Sequence, residues 1–185
     1  MHSARDRKTL LDIAAASIRT GLETGQPLPV TVTEFPTTLQ QQGASFVTLN
    51  INDQLRGCIG SLEAYRPLVE DVADNAFAAA FRDPRFTPLS DAEYPQLEYH
   101  ISILAPAEPM QFDSEADLVR QLRPGVDGLI LSDHGRRGTF LPSVWESLPD
   151  PHDFFHHLKL KAGLPPDHWS DTVQVERYTV EEFGN

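Results

Sequence analysis

The chain has 185 residues, 40% hydrophobic and 9% aromatic, with a formal charge of −12 from 15 basic and 27 acidic side chains. That is enough for one domain with a real core, and the acid excess argues against a general nucleic-acid binder, since neutralising phosphates takes Lys and Arg. A lone cysteine, Cys58, excludes an internal disulfide framework; with no apolar run near the roughly 20 residues of a membrane span, no membrane partner and a cytoplasmic location are expected.

In chain order, Leu10, Ile13, Ala14, Ile18 and Leu22 recur at helical spacing and predict a helix over residues 3–22. Ser3 with Asp6 reads as a variant capping box, and Gly21 and Gly25 mark the end. A loop with Pro27, Pro29 and Pro36 comes next, long enough for local structure of its own. In SFVTLNINDQLRGCIG, Val47, Leu49 and Ile51 alternate with Phe46, Thr48 and Asn50. Asn52-Asp53 is a turn signal, and a second strand resumes at Gln54, which makes a hairpin. If that strand is regular, Leu55, Gly57 and Ile59 share one face, and Arg56, Cys58 and Gly60 the other.

Pro67 fits the first turn of a second helix, with Leu68, Val69, Val72, Ala73, Ala76 and Ala80 on its apolar side and its end before Pro84. SDAE, residues 90–93, reads as another capping box. A strand is expected over 97–104, a short helix from Ser114 to Leu122, and a second hairpin turning at Gly135. DPHDFFHHLKLKAG reads as a helix capped by Asp150, with Pro151 in its first turn and Gly163 as its stop. TVQVERYTV closes the chain as a strand. Two hairpins imply antiparallel pairing, so the fold class is α+β, an antiparallel β-sheet flanked by helices in a single domain over 1–185.

Three stretches carry candidate chemistry. HDFFH, His152 to His156, imitates a zinc-protease helix, but Asp replaces Glu, the pair sits in the fraying first turn, and Glu176 is a poor third ligand, so no metal site is assigned. Cys58 is flanked by Gly57 and Gly60, which allow close backbone approach by a ligand, and Arg56 supplies charge that favours a thiolate. The bland alternative is a small packing thiol in a turn. In RDPRF, Arg85 has the planar fork to clamp a carboxylate or phosphate beside Asp83; bracing of the turn is the alternative. HGRRG, His134 to Gly138, reads as an exposed turn. No Gly-rich phosphate loop is present, and no cofactor is expected.

These residues also carry a resemblance. FVTL (46–49), LRGCIGSLE (55–63), NAFAAAFRDPRFTPL (75–89), TFLPSVWE (139–146) and LKLKAGL (158–164) resemble, in order, the AMMECR domain family, whose bacterial members are called AmmeMemoRadiSam system protein A. The resemblance implies an α+β domain with a larger and a smaller lobe around an antiparallel sheet, and no settled activity. It implies association with a Memo-type protein and a radical SAM protein, and it makes LRGCIG, Leu55 to Gly60, the functional segment. Relatives place an acidic residue at the position of His100, which speaks against His100 as a general base. Two functions are open. In one the protein is an enzyme or enzyme component, with Cys58 and Arg56 catalytic and Gly57, Gly60, Asp83 and Arg85 binding a small anionic ligand. In the other it is a non-catalytic adaptor that presents the LRGCIG backbone to a partner protein.

Overall fold

A computed structural model describes residues 1–185. They form two compact units, one of residues 1–104 with 181–185, the other of residues 105–180. Each has its own sheet and apolar core.

The first unit begins with helix α1, Ala4–Thr24. Ser3 and Asp6 close the expected capping box, and Gly25 ends the helix at φ 74°. Gly21 lies inside the helix instead of ending it: a Cβ there would meet the Phe81 and Phe77 rings of helix α3, Leu68–Phe81, at 2.4 and 2.8 Å. Pro67 caps α3 from just outside its first turn. The proline loop between α1 and the sheet holds a 3₁₀ turn, Val32–Glu34, and one helical turn, α2, Thr37–Gln40.

Strands β1 (Ala44–Ile51) and β2 (Gln54–Gly60) form the expected hairpin. Asn52 and Asp53 turn it at φ 53° and 60°, the left-handed pair that a tight hairpin requires. β1 also pairs antiparallel with β3, Glu98–Leu104, and the strand order is β2-β1-β3-β8, where β8 is Val180–Gly184. One sheet face packs on α1 and α3. Val47, Leu49 and Ile101 bury there against Leu10, Ile18, Val69, Val72 and Ala76.

The second unit pairs β5 (Gly128–Asp133) with β6 (Arg136–Phe140) through a turn at His134 and Gly135, φ 47° and 74°. Its sheet runs β4-β7-β5-β6, with β4 at Glu108–Pro109 and β7 at Gln174–Tyr178. Helices α4 (Glu115–Gln121) and α5 (Pro151–Lys161) cover it. Their core holds Leu118, Leu129, Trp145, Phe154 and Leu158, with Trp145 stacked on Phe154 at a centroid distance of 3.7 Å. Asp150 caps α5 through the amides of His152 and Asp153, as its sequence requires. The closing strand divides: β7 belongs to the second sheet and β8 to the first.

The architecture is α+β with antiparallel pairing throughout the hairpins. No helix is long and apolar enough to cross a membrane.

Candidate functional site

The LRGCIG strand is irregular at one point. Leu49 pairs with Gly57 and Asn50 with Leu55, so Arg56 is an extra residue on β2 and makes a bulge. One added residue changes the facing of everything before it. Leu55 therefore shares a face with Asn50, not with Gly57, and is exposed. Gly57 turns toward α3, and Cys58 pairs with Thr48 on the opposite face.

Two fasteners hold the bulged strand. The Cys58 amide donates to Asp83 Oδ2 at 3.0 Å. Asp83 is buried, and Arg85 grips it with two parallel bonds, Nε to Oδ1 at 3.0 Å and Nη2 to Oδ2 at 2.7 Å. The Arg85 amide adds a third donor at 3.0 Å. The Arg85 side chain, and after it the Cys58 and Arg85 amides, hold the Asp83 carboxyl well below the usual carboxylate range. In return Asp83, and to a smaller extent the Cys58 sulfur, keep Arg85 more basic than an ordinary guanidinium.

The second fastener is Arg56. Its Nε donates to Glu93 Oε1 at 2.7 Å, and its Nη2 donates to the Thr87 carbonyl at 2.8 Å and to Glu93 Oε2 at 3.3 Å. Its Nη1 is buried with no hydrogen-bond partner. Phe86 lies beside both guanidinium groups, 5.7 Å from that of Arg56 and 5.5 Å from that of Arg85. Glu93 is held down to about 2, chiefly by Arg56 and then by the Ser90 amide. The SDAE motif is thus half a capping box. The Ser90 amide reaches Glu93, but the Ser90 hydroxyl donates to the carboxylate instead of accepting from the backbone. The chain continues into a 3₁₀ turn at Tyr94–Gln96.

The two glycines are used differently from the sequence expectation. A Cβ on Gly57 would sit 2.1 Å from the Ala79 carbonyl oxygen of α3, and one on Gly60 would sit 2.2 Å from the Phe46 ring. Both spaces are filled by protein, so the glycines let strand, helix and ring approach each other. Arg56 and Arg85 both carry intrachain ion pairs.

At the sulfur, the Thr48 hydroxyl donates to Cys58 Sγ at 3.2 Å. Thr48 pairs with Cys58 on one side and with His100 on the other, so the three form a row across β2, β1 and β3. Two strand spacings, about 10 Å, separate the outer backbones. Thr48 stands between His100 and the thiol. Glu93 was not legible as a site residue because no local pattern signals its pairing with Arg56, and Thr48 was missed because a regular hairpin, without the bulge, would set it opposite Gly57 and not Cys58. A third missed group is Asp71. Fully buried, it accepts from the Ser45 amide at 2.8 Å and from the Ser61 hydroxyl at 2.8 Å, and so anchors the strand just past Gly60.

The zinc-like pair His152 and His156 is exposed on α5. The cluster of metal-ligating type lies elsewhere, at Asp133, His134 and His168 in the second unit.

Residues 11–183 match the AMMECR1 family model. The chain belongs to the AMMECR1 family. A protein of Methanothermobacter thermautotrophicus is 35% identical over 187 residues, covering 98% of this chain and 95% of its own. One of Thermotoga maritima is 39% identical over 146 residues, covering 78% of this chain and 79% of its own. The crystal structure of the uncharacterized protein PH0010 from Pyrococcus horikoshii superposes with a TM-score of 0.85 at 34% identity, covering 96% of this chain and 90% of that one. For this AMMECR1-family chain, the LRGCIG strand and the DPRF turn form one clasped element with the Cys58 thiol at its edge.

Proposed function

We propose that this AMMECR1-family protein is a cytoplasmic enzyme component that works through the Cys58 thiol, in company with a Memo-type protein and a radical SAM protein. The observation that carries the reading is the hydroxyl of Thr48 aimed at Sγ from 3.2 Å, on a thiol that is only half-buried. A donor pointed at sulfur stabilises negative charge there, and the thiolate is the nucleophilic form. Arg85 supports the same reading. Its side chain remains 54% exposed while paired to Asp83, which leaves guanidinium surface for a small anionic group. The partners rest on the family resemblance.

Alkylation of the native protein with iodoacetamide at neutral pH tests this. Cys58 is expected to react faster than a free cysteine model, and Cys58→Ser to take up no label. Reaction at or below the model rate removes the nucleophile from the proposal.

A second reading is favoured by the two intrachain fasteners. Arg56 and Arg85 stiffen β2 and the DPRF turn into a fixed surface, which suits a docking module for the Memo-type protein. Arg56→Ala would then abolish capture of that protein and Cys58→Ala would spare it. The thiol reading requires instead that Cys58→Ala abolish any coupled activity.

A further inference from the structure

We propose that Asp133, His134 and His168 form a binding site for a divalent transition-metal ion of the zinc class, separate from the LRGCIG element. Asp133 ends β5, His134 is the first residue of the following turn, and His168 lies in the loop between α5 and β7. Their ligating atoms all lie within 4.8 Å of one another. Asp133 Oδ2 is 2.6 Å from His168 Nε2 and 3.6 Å from His134 Nε2. Adjacent ligands of a tetrahedral ion bound at 2.0–2.1 Å sit about 3.3 Å apart, so the two distances straddle the requirement.

The carboxylate is prepared for the role. It is fully buried and is oriented by donors other than the imidazoles: Ser170 Oγ on Oδ2 at 2.7 Å, Thr172 Oγ1 on Oδ1 at 2.6 Å, and the His134 amide on Oδ1 at 3.0 Å. Hydroxyls that hold a ligating carboxylate are the usual outer shell of a metal site. A structural fastener would be complete with His168, Ser170 and Thr172. His134, whose side chain is 61% exposed, adds an edge-on ring contact with His168 at 5.7 Å and brings its Nε2 to 3.6 Å from Oδ2, too far for a hydrogen bond but within the reach of a shared ion. On binding, the proton on His168 Nε2 moves to Nδ1, and Nε2 and Oδ2, now freed from each other, both face the ion. Two imidazoles and a carboxylate leave one position open; Asp133 and His134, though not His168, line a cleft of about 530 Å³ together with Arg136, Arg137 and Gln174. Two nitrogen ligands and one oxygen suit Zn²⁺, with Co²⁺ as its spectroscopic substitute.

The test titrates untagged, chelator-stripped full-length protein with Co²⁺, followed by visible absorption, and with Zn²⁺, followed by calorimetry. One equivalent of each is expected to bind. His134→Asn, chosen because asparagine tolerates the left-handed turn conformation, is expected to weaken binding at least tenfold with an unchanged circular dichroism spectrum. Ser170→Ala is expected to weaken it by roughly tenfold, as an outer-shell loss does. The doubly substituted His152→Ala, His156→Ala protein is expected to bind as the parent does. Absence of stoichiometric binding, full retention in His134→Asn, or loss in the His152, His156 variant would each overturn the site.

Discussion

The Cys58 amide reaches across 25 residues of sequence to donate to Asp83 at 3.0 Å. This bond joins the LRGCIG strand to the DPRF turn, and it makes Asp83 the residue on which the geometry of the thiol depends. Asp83→Asn keeps the shape but turns one acceptor oxygen into a donor that faces other donors. A cost of about 3 kcal/mol is expected, the range for spoiling a buried ion pair. Arg85→Ala takes the counter-ion from the buried carboxylate but leaves both amide donors on it and opens it to water, so a smaller cost of about 2 kcal/mol is expected. Urea midpoints of the two variants check the order.

Gly57 and Gly60 separate backbone from side-chain crowding. The Gly57 Cβ would strike a carbonyl oxygen of α3 at 2.1 Å, which cannot move without moving the helix. The Gly60 Cβ would strike the root of the half-buried Phe46 ring, Cγ at 2.2 Å, which clears only if that side chain takes another rotamer. Gly57→Ala is expected to cost about 3 kcal/mol and Gly60→Ala about 1 kcal/mol, bracketing the usual cost of overpacking. Equal costs in a thermal unfolding comparison would mean that β2 and α3 part easily.

The carboxylates of both fasteners are more acidic folded than unfolded, where they titrate at about 4. Their contribution is therefore complete above about pH 5 and is lost as pH falls through 4 toward the folded value of Glu93, about 2. A double-mutant cycle with Arg56→Gln and Glu93→Gln is expected to give a coupling of about 1 kcal/mol at pH 7, discounted for the part-exposed carboxylate. The coupling should shrink toward zero near pH 2. A cycle that is flat in pH would show that Arg56 acts through the Thr87 carbonyl and packing alone.

Local chemistry made much of the fold legible. Ser3 with Asp6, Asp150, Asn52-Asp53 and Gly163 specify their caps and turns through neighbours a few residues away, and each forms as its sequence directs. The fold class came from the two hairpins. What local signals do not carry are long pairings. The extra residue at Arg56 arises because β2 must track both β1 and the close wall of α3, and alternation along the strand cannot reveal it. Glu93 looked like a cap because it stands three residues after Ser90, but a guanidinium 37 residues away claims its carboxylate. The closing strand splits between two sheets at Thr179, and its trace in the sequence is a change of phase in the apolar alternation, from Val173 and Val175 to Tyr178 and Val180. Asp133 and His168 are 35 residues apart, one just before the His134–Gly138 turn and the other between the last helix and the closing strand, and no local signal joins them.

The central claim is that Thr48 primes the Cys58 thiol. The direct measurement is the second-order alkylation rate of the native protein at pH 7, compared with Thr48→Val under conditions where both are fully folded. The valine removes the hydroxyl donor and keeps the shape. A rate above that of a model thiol in the parent, falling several-fold in Thr48→Val, is the expected result. Equal rates in the two proteins, or labelling that appears only on unfolding, would contradict it.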